Sequence, residues 1–180
     1  MKQKIINKLF NTPPINSPGD FIAKRGGTQT KNVIVNIGDS ITHSSFGHNY
    51  SKIIEAEAAK DGYETVNAGM NADLAYSVVQ RIEAIIACQP TVATILIGTN
   101  DVVSTFEDRV KEFRLLKRIP NGKETSLEFY LENLGVIVKK LKTISYIKIF
   151  WTSFATGSSA MTGIKLPRVT IFNLRGMPFI

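Results

Sequence analysis

Three apolar runs in this 180-residue chain each stop at a polar, glycine-rich cluster, and that repetition constrains the fold more than any other feature. Asn32 to Gly38 (NVIVNIG) runs into Gly38-Asp39-Ser40. Residues 63–68 (YETVNA) run into the segment Asn67 to Asp73, and Thr91 to Ile97 (TVATILI) into Gly98-Thr99-Asn100-Asp101. Short β-branched runs of this kind read as buried strands feeding turns. Helical periods separate them. Tyr50, Ile53, Ile54 and Ala58 share a face over 49–61, ended by Asp61-Gly62. Leu74, Val78, Val79, Ile82, Ile85 and Ile86 face inward from a helix over 72–87 that stops before Pro90. Residues 102–123 form a long, charged, partly helical connection closed by Pro120-Asn121-Gly122. A helix over 124–142 then turns Leu127, Tyr130, Leu131, Leu134, Ile137, Val138 and Leu141 inward, and Ser145 to Trp151 (SYIKIFW) is a fourth strand. Strands alternating with helices mean βαβ units and a mostly parallel sheet covered on both faces. Ligands bind such sheets at the carboxyl ends of the strands, so the three clusters are expected to converge on one rim.

Charge distribution narrows the function classes. The formal net charge is +7. It divides into +5 over residues 1–31, −5 over 32–138 and +7 over 139–180. The basic excess therefore sits at the ends, no helix-turn-helix, RNA-binding or zinc-finger pattern accompanies it, and a nucleic-acid partner is not expected. One cysteine, Cys88, excludes a disulfide framework and a Cys-based zinc site, and it reads as a small buried hydrophobe. No run reaches the ~18 apolar residues of a membrane span. The first ten residues lack a signal-peptide apolar region, which leads to the expectation of a cytoplasmic protein without stable membrane insertion. Residues 1–31 hold Pro13, Pro14, Pro18, Gly19, Gly26 and Gly27, which break regular structure, and are expected to form a leader that wraps the domain or stays mobile. Residues 32–151 form the domain, and 152–180 an irregular tail. No G-x-G-x-x-G follows the first strand, which disfavours a dinucleotide site.

Ser40, at a strand-to-helix turn, presents its hydroxyl and its backbone N–H at the rim. Ester hydrolysis through a serine also needs donors for the oxyanion that develops on the carbonyl. The Ser40 N–H, a backbone N–H of the Asn67–Asp73 loop and the Asn100 amide are candidates. NIGDSIT (36–42), NAGMNAD (67–73) and IGTND (97–101) resemble, in order, three of the four blocks of the SGNH hydrolases, or GDSL lipases and esterases. The resemblance covers roughly residues 32–151. It implies a flavodoxin-like three-layer α/β/α sandwich and serine esterase chemistry on a small-molecule ester, without a metal or other cofactor. It further implies Ser40 as the nucleophile, with its own N–H and the Asn100 amide as oxyanion donors. Gly38, Asp39, Gly69, Gly98 and Asp101 would support the loops, Gly69 as a turn glycine.

The chain departs from the family pattern twice. The second-block donor is usually a glycine five residues after the leading Asn, and here that position is Ala72, which would be strained if it needs a positive φ. The fourth block, Asp-x-x-His, supplies the general base, yet no Asp, Glu or His follows Glu132. His43 is expected to hydrogen-bond within its turn and His48 to cap a helix or lie at the surface. The run Lys139-Lys140-Leu141-Lys142 reads as a solvated helix end. The expectation is therefore an ester hydrolase impaired by the missing base, in a chain truncated or frameshifted after about Trp151. The alternative is a binding protein that keeps the rim for an acylated or carbohydrate ligand. The sequence leaves the oligomeric state open.

Overall fold

The computed structural model describes residues 8, 10–25, 32–45, 49–144 and 147–152. His48 and the tail beyond Thr152 lie outside the described residues. Four parallel strands form one sheet: β1 Val33–Gly38, β2 Glu64–Gly69, β3 Val92–Leu96 and β4 Lys148–Thr152, in the order β2-β1-β3-β4. β1 is central, paired with β2 from Val33↔Glu64 to Gly38↔Gly69 and with β3 from Ile34↔Val92 to Gly38↔Leu96. Every β1 residue is buried, which explains a sequence that is continuously apolar rather than alternating.

The described helices are α1 Pro18–Arg25, α2 Ser40–His43, α3 Tyr50–Ala59, α4 Ala75–Gln80, α5 Ile82–Ala87, α6 Thr99–Val103, α7 Glu107–Leu115 and α8 Leu127–Leu141. From β1 the chain moves one way to β2, then crosses back over β1 to β3. Right-handed crossovers then place α2–α3 on one face of the sheet and α4, α5 and α8 on the other. The main core lies under α4, α5 and α8, around Val35, Ile37, Val78, Ile85, Ile95, Ile137 and Leu141. A smaller cluster joins Ile54 and Ala58 of α3 to Ile34 and Val92. The result is the expected α/β/α sandwich around a parallel sheet. Among the described residues, no helix is long and apolar enough to cross a membrane.

Four details differ from the sequence reading. The leader contains α1, because Pro18 occupies the first helical position, where its missing N–H costs nothing. Ser17 and Asp20 cap α1 reciprocally: Asp20 N–H donates to Ser17 Oγ at 3.3 Å, and Ser17 N–H to Asp20 Oδ2 at 3.3 Å. Phe21 of α1 is buried in the main core, and Arg25 donates to Cys88 O at 3.0 Å. The helix expected over 72–87 is two helices, broken at Arg81 (φ −120°, ψ 13°). Ile53 is 59% exposed and Leu127 39% exposed, whereas both were expected inside. Ser51 rather than Ile53 takes the inward place on α3, donating to Thr42 O at 3.4 Å.

Candidate active site

The site lies where β1 and β3 leave the sheet side by side, the point at which strand order reverses and where ligands of open α/β sheets bind. β1 ends at Gly38 and the chain turns at once into α2. Asp39 caps that helix, its Oδ1 accepting the Ile41 N–H at 3.0 Å. The turn is tight enough that a Cβ on Gly38 would stand 2.1 Å from Thr42 Oγ1 and 2.4 Å from Leu96 O. Gly69, across the register from Gly38, is equally constrained: a Cβ there would meet His43 N at 2.2 Å. Asn67 fastens these ends together, donating from Nδ2 to Thr42 O at 2.8 Å and accepting Gly69 N–H at 2.9 Å. Gly98, with φ 130°, turns the chain from β3 into α6.

Three residues stand at this rim half-exposed: Ser40 after β1, Ala72 after β2 and Asn100 after β3. Gly38, Asp39, Gly69, Gly98 and Asp101 are buried behind them. Ala72 has φ 58°, in the left-handed region that disfavours alanine. Among the described residues, neither the Ser40 N–H nor the Ala72 N–H donates to a protein acceptor. The Asn100 amide links the other two loops. Its Nδ2 donates to Asp39 Oδ2 at 3.3 Å and to Asp73 O at 3.1 Å. Two backbone N–H groups without a protein acceptor among the described residues thus lie on loops that the Asn100 side-chain amide ties together, through Asp39 beside Ser40 and Asp73 beside Ala72.

Three buried carboxylates lie beneath. Burial pushes the Asp39 carboxyl up to about 6, against the Ile41 N–H bond that lowers it, and neighbouring Asp73 adds to the rise. Burial likewise pushes Asp101 up to about 7, although both its oxygens accept the Ala75 N–H at 3.2 and 3.1 Å. Asp101 therefore ties the start of α4 to α6. Asp73 is raised by burial, with Arg81 and Arg118 pulling the other way. Arg81 Nε donates to Asp73 Oδ2 at 2.8 Å and its Nη2 to Gly38 O at 3.3 Å. Arg118 Nε stands 3.3 Å from Asp73 Oδ1.

His43 is committed elsewhere. Its Nε2 is 3.0 Å from Thr12 O, a pure acceptor, so Nε2 carries the proton. Nδ1 then accepts from Ser45 Oγ at 2.7 Å in the neutral ring. Cys88 is fully buried, its thiol pushed up to about 11 by burial, and it takes no part in the rim. Among the described residues no group of three or more His, Cys, Asp or Glu is arranged to hold a metal.

Asp73, Arg81 and Arg118 were missed in the sequence. Arg81 left one signal, a cation on a helix otherwise apolar in its facing positions. Arg118 left none, since a cation in a charged connection reads as solvated.

The chain matches the GDSL-like lipase/acylhydrolase family over residues 37–173. Among solved structures it is similar to AlinE4, an SGNH-hydrolase family esterase, with 22% identity and a TM-score of 0.51, over 69% of this chain and 60% of that one. It is also similar to a catalytic mutant of Axe2, an acetylxylan esterase from Geobacillus stearothermophilus, with 20% identity and a TM-score of 0.52, again over 69% and 60%. The chain thus spans about 60% of the length of these structures. A comparison with curated proteins returns no match.

Proposed function

The chain belongs to the GDSL-like lipase/acylhydrolase family, and from that premise we propose that it is an acyl ester hydrolase with Ser40 as nucleophile. Its oxyanion donors are the N–H groups of Ser40 and Ala72 and the side-chain amide of Asn100. One observation carries the reading. The Asn100 nitrogen touches both Asp39, the neighbour of Ser40, and Asp73, the neighbour of Ala72, so groups from three loops share one small rim.

In the first step Ser40 Oγ bonds to the ester carbonyl carbon, its proton passes to a base, and the carbonyl π electrons move onto oxygen. That oxygen takes the two free N–H groups and one proton of the Asn100 amide, which gives up its longer contact to Asp39. Collapse of the tetrahedral species expels the alcohol, and water releases the acyl group by the same sequence. The base is what these residues do not supply. No Asp, Glu or His follows Glu132, and both ring nitrogens of His43, the one histidine among the described residues, are engaged. An unactivated Ser40 is a poor nucleophile, and losing one triad member costs several orders of magnitude in rate. The same lack favours a second reading, a rim that binds an acylated or carbohydrate ligand without turnover.

Acetyl esters are the first substrates to try, since one structural neighbour is an acetylxylan esterase. Hydrolysis of p-nitrophenyl acetate by this chain is expected to be slow, and lost in Ser40→Ala with the fold retained. Fast, Ser40-dependent turnover overturns the impairment. Turnover unchanged in Ser40→Ala overturns the assignment of the nucleophile and leaves the binding reading.

A further inference from the structure

Arg118 closes the charged connection after α7, its own N–H donating to Phe113 O at 2.8 Å. Its guanidinium runs back under the rim with a side chain only 13% exposed. There Nη2 reaches Asn71 O at 3.0 Å, Phe10 O at 3.0 Å and Asn11 Oδ1 at 3.1 Å, while Nε lies 3.3 Å from Asp73 Oδ1 as a charge contact without hydrogen-bond geometry. The Asn71 carbonyl belongs to the same planar peptide as the Ala72 N–H. In a trans peptide the two point in opposite directions. A cation drawing Asn71 C=O to the buried side therefore turns the Ala72 N–H to the other side.

We infer that Arg118 is a positioning residue: it holds the Asn71–Ala72 peptide so that the Ala72 N–H faces the Ser40 rim, and it braces that peptide against the N-terminal segment at Phe10 and Asn11. This rests on the proposed role of Ala72 as an oxyanion donor. Three observations support a dedicated brace. Ala72 sits at φ 58°, a conformation its side chain resists, so something outside the loop must hold it. The Ala72 N–H donates to nothing among the described residues. Arg81, the other cation on Asp73, reaches Gly38 O and not this peptide, so charge pairing to Asp73 and control of the peptide are separable. The guanidinium is long and planar enough to set Nη2 on the Asn71 carbonyl while Nε stays beside the Asp73 carboxylate, and the single ammonium of a lysine cannot occupy both places.

Phenylboronic acid tests this without requiring turnover, since Ser40 Oγ adds to boron and the tetrahedral adduct places a hydroxyl where the oxyanion would sit. In 15N-resolved NMR of the wild-type chain, the Ala72 amide is expected to move on adduct formation. In Arg118→Lys the Ala72 response is lost and boronate affinity falls about tenfold, a fraction of what deleting an oxyanion donor costs. Arg81→Lys, which perturbs the same carboxylate, is expected to keep the Ala72 response. Retention of the full response and affinity in Arg118→Lys overturns the inference while the proposed function stands. With the adduct seen as tetrahedral boron by 11B NMR, failure of the wild-type Ala72 amide to respond overturns the donor role of Ala72 and the inference with it, and absence of any adduct overturns Ser40 as nucleophile. If Arg118→Lys fails to fold, Asn11→Ala removes one leader contact of the same guanidinium. A weakened Ala72 response supports the brace, and an unchanged one removes its leader arm.

Discussion

At the residue scale, the site depends on which positions carry a Cβ. Gly69 lies so close to α2 that an added methyl would stand 2.2 Å from His43 N and 2.6 Å from Thr42 C, both backbone atoms that cannot swing away. Gly69→Ala is therefore expected to destabilise the fold by about 2–3 kcal/mol or more, read as a lower urea midpoint. Ala72 presents the reverse case. At φ 58° it carries strain of roughly 1 kcal/mol that glycine would relieve, offset in part by the greater freedom of glycine in the unfolded chain. Ala72→Gly is expected to raise the urea midpoint slightly, by less than ~1 kcal/mol in stability. A lowered midpoint would mean that the Ala72 methyl, which packs beside Leu74, Phe113 and Ile119, contributes more than its strain costs. The glycines of the first and second blocks were visible in the motif, but Gly69, expected as a turn glycine, ends β2 and is required there by the close approach of α2. The positive φ at Ala72 was anticipated only as a condition, because a dihedral angle is set by what the loop must reach.

At the element scale, helix α8 shows what periodicity can and cannot foresee. Its inward stripe holds at Tyr130, Leu134, Ile137 and Leu141, all buried, while Leu127 in the first turn stays exposed. Ser126 caps the helix, its Oγ accepting Phe129 N–H at 3.2 Å. Ile137 is fully buried in the main core, so Ile137→Ala is expected to cost about 2–5 kcal/mol, checked by urea unfolding against Leu127→Ala, which is expected to cost far less. The break at Arg81 has a different origin. The α4–α5 stretch reads as one helix by its apolar positions, yet the guanidinium reaches Asp73 and Gly38 O, and the backbone departs from helical geometry where that side chain begins. Asn16 protects the edge of β2: its side-chain amide donates to Thr65 O and its carbonyl accepts Asn67 N–H at 3.0 Å. The N-terminal segment thus covers pairing groups that an edge strand would leave open.

At the scale of the whole molecule, the rim is a concentration of buried acid. Asp39 is pushed up to about 6 and Asp101 to about 7 by burial, from an ordinary value of 3.8. In both cases the folded state binds its proton more tightly than the unfolded state does. The stability they contribute is fully present below the unfolded value and is lost as pH rises through 6 and 7. Between pH 7 and pH 5 these groups are expected to raise unfolding stability by about 1–3 kcal/mol, seen as a higher urea midpoint at pH 5. Asp101→Asn is expected to flatten that dependence, since the amide keeps an acceptor for Ala75 N–H and cannot titrate. A midpoint unchanged between the two pH values in the wild-type chain would contradict the burial of these carboxyls. The charge of +7 therefore says little about the rim, which is acidic beneath and neutral at its donors.

The amino-acid sequence by itself determined the layered α/β architecture, the convergence of three strand ends and the identity of Ser40, Ala72 and Asn100 as the groups to examine. The architecture and the convergence follow from local rules: periods of two and 3.6, and short polar clusters where strands stop; Ala72 was singled out by the resemblance of its segment to the family's second block. The sequence also exposed the lack of an acid or histidine after Glu132. Only the tertiary structure decided that Arg81 and Arg118 lie buried on Asp73, that His43 is bound to Thr12 and Ser45, and that α1 packs Phe21 into the core. Each of those depends on partners distant along the chain, from Phe10 O at Arg118 to Cys88 O at Arg25. A charge destined for burial has the same sequence context as one destined for water, and only the folded environment separates them.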